Sequence, residues 1–158
     1  MKISDAHVSH LSVLIRCLQS TEIGDVLELG MGIGSTPVMH ELCRRRRLVS
    51  YENDPNWYQK FACFAKPWHE MYFVEKWEDA KLEQPWGVAL VDNHPSEERP
   101  KSILRLKDWA DIIVVHDTEP RKDKHYGSRA VFPEFRSCLE YTDFEPHTTV
   151  LSNRWNLY

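Results

Sequence analysis

The chain has 158 residues, 42% apolar and 28% charged, with a formal net charge of −4. That length suits one domain around one core, and the balance is that of an ordinary globular protein rather than a disordered or membrane one. The longest apolar runs, such as residues 112–115, fall far short of the roughly 20 residues that cross a bilayer, so no membrane partner is expected. Met1-Lys2-Ile3-Ser4-Asp5 carries no apolar signal core, which points to a cytoplasmic location. Net acidity argues against nucleic acid as a partner, and the basic run Arg44 to Arg47 reads as the solvated end of a helix. Cys17, Cys43, Cys63 and Cys138 lie too far apart for a zinc knuckle or a disulfide framework and are expected as buried thiols.

Val8, Leu11, Ile15 and Leu18 recur at helical spacing and predict an opening helix, ended by Ser20, Thr21 and Gly24. Residues 25–29 form a short apolar strand. Ser35-Thr36-Pro37 then offers a hydroxyl cap with proline behind it, starting a second helix whose buried stripe is Val38, Met39, Leu42 and Cys43. Residues 48–52 resume an extended pattern. Asp54-Pro55 caps a third helix carrying Trp57, Tyr58, Phe61 and Phe64 up to the break at Lys66-Pro67, and residues 71–74 make a third strand.

Residues 87–91 and 110–115 are near-continuous apolar runs, as expected of parallel strands buried on both faces, and they bracket a helix-compatible segment over 96–107. A helix over 128–141 is predicted next. Residues 144–151 and 155–158, around Ser152-Asn153, then read as an antiparallel hairpin. The alternation predicts an α/β fold: a Rossmann-like, doubly wound, mostly parallel sheet with a C-terminal hairpin, binding ligand at the carboxyl ends of its central strands. A single domain, residues 1–158, is expected.

Between the first strand and the second helix stands Glu28-Leu29-Gly30-Met31-Gly32-Ile33-Gly34-Ser35-Thr36. Glycines there let backbone approach a ligand, and the free amides of the helix start favour negative charge. A dinucleotide fingerprint needs glycine at position 35, where Ser35 stands, which opposes a nicotinamide cofactor. The E-x-G-x-G-x-G spacing resembles the first motif of class I S-adenosylmethionine-dependent methyltransferases, and the compact pattern is similar to small methyltransferase-like proteins of bacteriophages. The resemblance implies that Glu28, Gly30, Met31, Gly32, Gly34, Ser35 and Thr36 pass the methionine end of S-adenosylmethionine. It also implies that Glu52, beside Asn53, holds the ribose hydroxyls. A carboxylate can accept from both hydroxyls of a vicinal diol, and Glu52 follows Gly30 at close to the ~20 residues expected of such a partner. Trp77-Glu78-Asp79-Ala80 resembles the family's adenine-side segment, with Trp77 either along the adenine face or in the core.

Methyl transfer is an in-line displacement, so the enzyme aligns the acceptor and removes a proton from a hydroxyl one. The loops after strands four and five, Asp92-Asn93-His94-Pro95 and His116-Asp117-Thr118-Glu119-Pro120, carry the candidates. His94 or His116 is the expected base, with Asp117 beside it, and Asp92 is expected at the cofactor's methionine end. Asp92 and Asp117 also resemble the ligands of metal-dependent small-molecule O-methyltransferases, but Thr118 is a weak donor for a hard cation, so a divalent metal is not favoured. The Asp-Pro-Pro-aromatic motif of nucleic-acid amine methylation is absent from 92–95. Tyr126 and Arg129 read as substrate contacts on a mobile loop or as parts of an ordinary loop capped by Ser128.

With little chain to spare for a lid, either a second copy closes the site or the acceptor is large. Trp86, Trp109 and Trp155 could serve a homodimer or pack inside. The expected activity is methyl transfer to an oxygen or nitrogen acceptor of unknown identity. A catalytically inert S-adenosylmethionine-binding module is the alternative.

Overall fold

A computed structural model of the chain describes residues 8–21 and 23–158. The first helix, α1 (Leu11–Ser20), buries Val13, Leu14, Cys17 and Leu18. Two strand–helix steps and a third strand follow: β1 (Val26–Leu29) with α2 (Ser35–Leu42), β2 (Leu48–Glu52) with α3 (Pro55–Phe61), and then β3 (His69–Phe73). After β4 (Trp86–Val91) come α4 (Arg99–Leu106), β5 (Ala110–His116) and α5 (Pro120–Tyr126), and the chain closes with β6 (Ser137–Tyr141) and β7 (Thr148–Ser152). The seven strands form one sheet in the order β3-β2-β1-β4-β5-β7-β6, parallel as far as β5 and antiparallel at β5–β7–β6.

Period-two alternation splits the core between the two faces of this sheet. Leu27, Leu29, Val49, Ala89, Val91 and Ile113 point to the face covered by α4, with Trp77, Leu82 and Trp86. Val26, Leu48, Val88, Leu90 and Ile112 point to the face covered by α1 and α2. Chain direction splits at β1 and β4, since β2 and β3 lie beyond one and β5 beyond the other. A crevice therefore opens at their carboxyl ends, where open α/β sheets bind ligands. Leu29 pairs with Tyr51 and Val91, so Gly30, Glu52 and Asp92 leave the sheet at the same level.

Local capping sets the walls of that crevice. Asp54 accepts hydrogen bonds from the amides of Asn56 and Trp57, with Pro55 in the first turn, so α3 starts as its sequence predicts. Asp54→Ala should cost about 1 kcal/mol of stability in urea denaturation, the usual value of an N-cap. At α2 the capping residue is Gly34 rather than Ser35, because the Ser35 and Thr36 hydroxyls turn down to Glu28.

The C-terminal third differs from its sequence reading. Residues 128–141 are not one helix: a 3-10 turn (Ser128–Glu134) contains Pro133, which cannot donate a ladder hydrogen bond, and Phe135 is already extended. Residues 137–141 become β6, so the hairpin is β6 with β7 rather than 144–151 with 155–158. Ser152 ends it, its hydroxyl accepting from the amides of Arg154 and Trp155. Residues 120–126, for which the sequence predicts no helix, form α5, started by Pro120 and stopped by Gly127 at φ +68°.

The arginine run follows α2 and is largely tied down. Arg46 donates to the carbonyls of Leu18 and Thr21, and Arg47 joins Asp25 and Glu70. Cys63 is exposed rather than buried. Trp86 is in the core, while Trp109 and Trp155 are over a third exposed. Among the described residues, no helix is long and apolar enough to cross a membrane.

Candidate active site

Glu28 lies beneath the glycine turn rather than in the crevice. It is fully buried and accepts hydrogen bonds from the hydroxyls of Ser35 (2.7 Å), Thr36 (2.9 Å) and Ser50 (2.6 Å). Burial pushes its pKa up to about 7 against the pull of those three hydroxyls. Glu28, Ser35 and Thr36 therefore shape the turn from below. Gly30 has φ +87°, and a Cβ there would meet the Asp92 carbonyl oxygen at 2.6 Å, so the glycine is required by the β4 loop packed against it.

Glu52 sits at the crevice wall. Its Oε2 accepts from the Met31 amide (2.8 Å) and its Oε1 from the amides of Asn53 (2.8 Å) and Asp54 (2.9 Å). A carboxylate has about four lone-pair positions, so one remains, on Oε2. Burial raises the Glu52 pKa and the three amides oppose the rise. Glu52 lines a cavity of about 550 Å³ together with Gly30, Met31, Asn53, Trp57 and His94, a size within the usual range of about 300–1,000 Å³ for small-molecule sites.

A second cavity, of about 260 Å³, opens beside the first between α1, the glycine turn and the end of β5. The two share Met31, Trp57 and Asp92. Trp57 is fixed in that shared wall by its indole N–H, which donates to the Met31 carbonyl. A charged cluster lines the second cavity. Asp92 accepts from Arg99 (2.8 Å) and faces His116 Nδ1 at 3.3 Å, and Asp117 accepts from Lys122 (2.6 Å). Burial favours neutral Asp92, but His116 and Arg99 beside it hold the carboxyl well below the usual range. Burial would lower the His116 pKa, and the Asp92 carboxylate reverses the effect and raises it. His116 Nε2 faces the Ser9 hydroxyl at 3.1 Å.

Arg99 organises both loops. It is 4% exposed and donates to the Asn93 and His116 carbonyls, to the backbone and side chain of Asp92, and to Asp117. The Tyr126 ring lies 5.0 Å from its guanidinium carbon. Sequence reasoning passed over Arg99; the available signal was a cation in the first turn of a helix, where the dipole disfavours it. His10, Trp57 and Lys122 were missed as site residues as well, and for them the sequence carries no comparable signal.

Asp92, His116 and Asp117 converge, with one ligand-type atom of each within 4.8 Å of the others. His94 stands apart: it is exposed and borders the larger cavity. Trp77 is in the core, its indole N–H donating to the His94 carbonyl at 2.8 Å. Glu78 and Asp79 line a separate groove with Arg105. Arg129 is committed to Glu140 and the Thr118 carbonyl. The convergent set does not suit a divalent metal, because Arg99 and Lys122 already neutralise both carboxylates and Thr118 is turned to Thr149.

Comparison with solved structures places this architecture. WbdD, described as a bifunctional kinase-methyltransferase, superposes with a TM-score of 0.69 at 14% identity over 92% of this chain. This chain spans only 40% of WbdD. A putative caffeoyl-CoA O-methyltransferase from Staphylococcus aureus gives 0.69 at 10% identity, covering 94% of this chain and 84% of its own. The N-methyltransferase NodS from Bradyrhizobium japonicum gives 0.62 at 12% identity, covering 90% and 92%. The fold is the Rossmann-like fold of these methyltransferases. NodS has also been solved with S-adenosyl-L-homocysteine. No family model and no curated protein matches the sequence.

Proposed function

We propose that this protein is an S-adenosylmethionine-dependent methyltransferase acting on an oxygen or nitrogen acceptor. The observation that carries the reading is the meeting of two cavities at Met31, Trp57 and Asp92, with His116 facing Asp92 from the lining of the smaller one. The larger cavity suits an adenosyl group: Glu52 offers one free lone pair to a ribose hydroxyl, and Gly30 and Met31 expose backbone where the methionine end would pass. Bound there, S-adenosylmethionine would supply an electrophilic methyl that moves from its sulfonium sulfur to the acceptor atom, leaving a thioether.

The chain's own residues would hold and activate the acceptor in the smaller cavity. His116, with Nδ1–H directed at Asp92, presents Nε2 as the proton acceptor, and the neighbouring carboxylate strengthens it as a base. Asp92, held low by His116 and Arg99, and Asp117, paired with Lys122, fix the field around it. His94 would border the cofactor instead of the proton transfer.

A catalytically inert cofactor-binding module is the second reading, favoured by the Ser9 hydroxyl on His116 Nε2. Calorimetric titration with S-adenosylmethionine, S-adenosylhomocysteine and NAD tests the cofactor assignment that both readings share. Binding of the two sulfur ligands and not of NAD is expected; NAD binding alone would overturn it.

A further inference from the structure

His10 is 2% exposed and lines the smaller cavity, yet neither of its ring nitrogens has a hydrogen-bond partner among the described residues. Leaving a buried polar group unpaired is costly, and a histidine kept only for packing is normally hydrogen-bonded. Its ring lies against His116 with centroids 4.3 Å apart and the planes tilted by 50°. Burial, reinforced by His116, lowers its pKa to about 4, so at neutral pH the ring is uncharged and offers one N–H donor and one lone pair.

The rest of the cavity narrows what those two groups would meet. Its carboxylates are spoken for, since Arg99 holds Asp92 at 2.8 Å and Lys122 holds Asp117 at 2.6 Å. No unpaired carboxylate is left among them to bind an ammonium, and the two cations are equally matched, so an anion gains little. Met31, Ile33, Trp57 and Pro146 supply apolar wall. A neutral molecule with an apolar body and one hydroxyl satisfies this set; a protonated amine does not.

We infer that the smaller cavity is the acceptor site for a neutral alcohol or phenol, and that His10 is the residue that hydrogen-bonds its hydroxyl. This rests on the methyltransferase reading above and names its acceptor class. The hydroxyl replaces Ser9 at His116 Nε2 and is oriented by His10. As its O–H bond breaks, the proton passes to His116, and the oxygen's electron pair would bond the methyl as the methyl's bond to the sulfonium sulfur breaks, its pair staying on sulfur. His10 selects the acceptor and His116 takes the proton.

The test uses ligand-observed NMR with two matched probe pairs, benzyl alcohol with benzylamine and cyclohexylmethanol with cyclohexylmethylamine, on protein carrying ¹⁵N-labelled histidine. Each alcohol should bind at least ten times more tightly than its amine and shift the His10 ring nitrogens. His10→Phe keeps an aromatic ring against His116 without polar atoms. It should weaken alcohol binding at least ten-fold while the melting temperature stays level or rises, whereas a structural histidine would show the reverse. His10→Gln, which keeps a donor and an acceptor, should recover part of the binding. Amines binding as tightly as alcohols, alcohol affinity indifferent to His10→Phe, or no alcohol binding at millimolar concentration would overturn the inference. S-adenosylhomocysteine titration of the same samples separates the two ideas. Normal nucleotide binding with failed alcohol binding removes the acceptor class alone, and absent nucleotide binding to the unmodified protein removes the methyltransferase reading.

Discussion

Replacing Arg99 with methionine should lower the unfolding free energy by about 3–5 kcal/mol, the usual result of removing one partner from a buried ion pair. Arg99 is 4% exposed and its guanidinium reaches five acceptors, three of them backbone carbonyls that leave the ends of β4 and β5. Methionine fills much of the volume but donates nothing. Asp92 would be left with His116, and Asp117 with Lys122. Urea denaturation at neutral pH reads the loss directly. Removing the exposed Arg44, which pairs with Glu41 at the surface, should leave the midpoint unchanged and serves as the control. A loss below about 1 kcal/mol in the Arg99 variant would mean that the two loops hold their places by packing.

Glu52→Ala should weaken S-adenosylhomocysteine binding by roughly 10- to 100-fold, the range for losing one hydrogen bond to a charged acceptor at about 1.5–3 kcal/mol. The wider expectation, that Glu52 embraces both hydroxyls of the ribose, is limited by its three backbone contacts. With Met31, Asn53 and Asp54 amides already on the carboxylate, a second hydroxyl could bind only by displacing one of them. The variant also frees those amides, so stability is measured beside affinity. Calorimetry that finds the nucleotide bound equally well by both proteins would leave Glu52 as a clamp on the turn and nothing more.

The parallel part of the sheet was legible because its signals are local. The extended pattern at residues 48–52 and the apolar runs at 87–91 and 110–115 are strands to within a residue or two, and Asp54-Pro55 starts a helix where cap chemistry says it must. The C-terminal third was not, because apolar residues at 131, 132, 135, 138 and 139 satisfy a helical period until Pro133 and the unpaired edge of β7 decide otherwise. A strand of mixed burial pattern such as β6 takes its structure from the partner it pairs with, and that partner lies several residues further on.

The sequence by itself determined the order of strands and helices through β5, the glycine turn with Ser35 in place of a dinucleotide glycine, and the two acid- and histidine-bearing loops that end β4 and β5. What it could not carry was which polar atoms already have partners. Glu28 and Glu52 look alike as carboxylates near a glycine turn, yet three hydroxyls bury one beneath the turn and three amides hold the other at the cavity wall. His94 and His116 look alike as strand-end histidines, yet only His116 meets Asp92. His10, on the far side of the chain from both, reaches the site because α1 packs across β4 and β5. Hydrogen bonding saturates, so a side chain's chemistry depends on the donors and acceptors the fold brings to it, and only the tertiary structure makes that assignment.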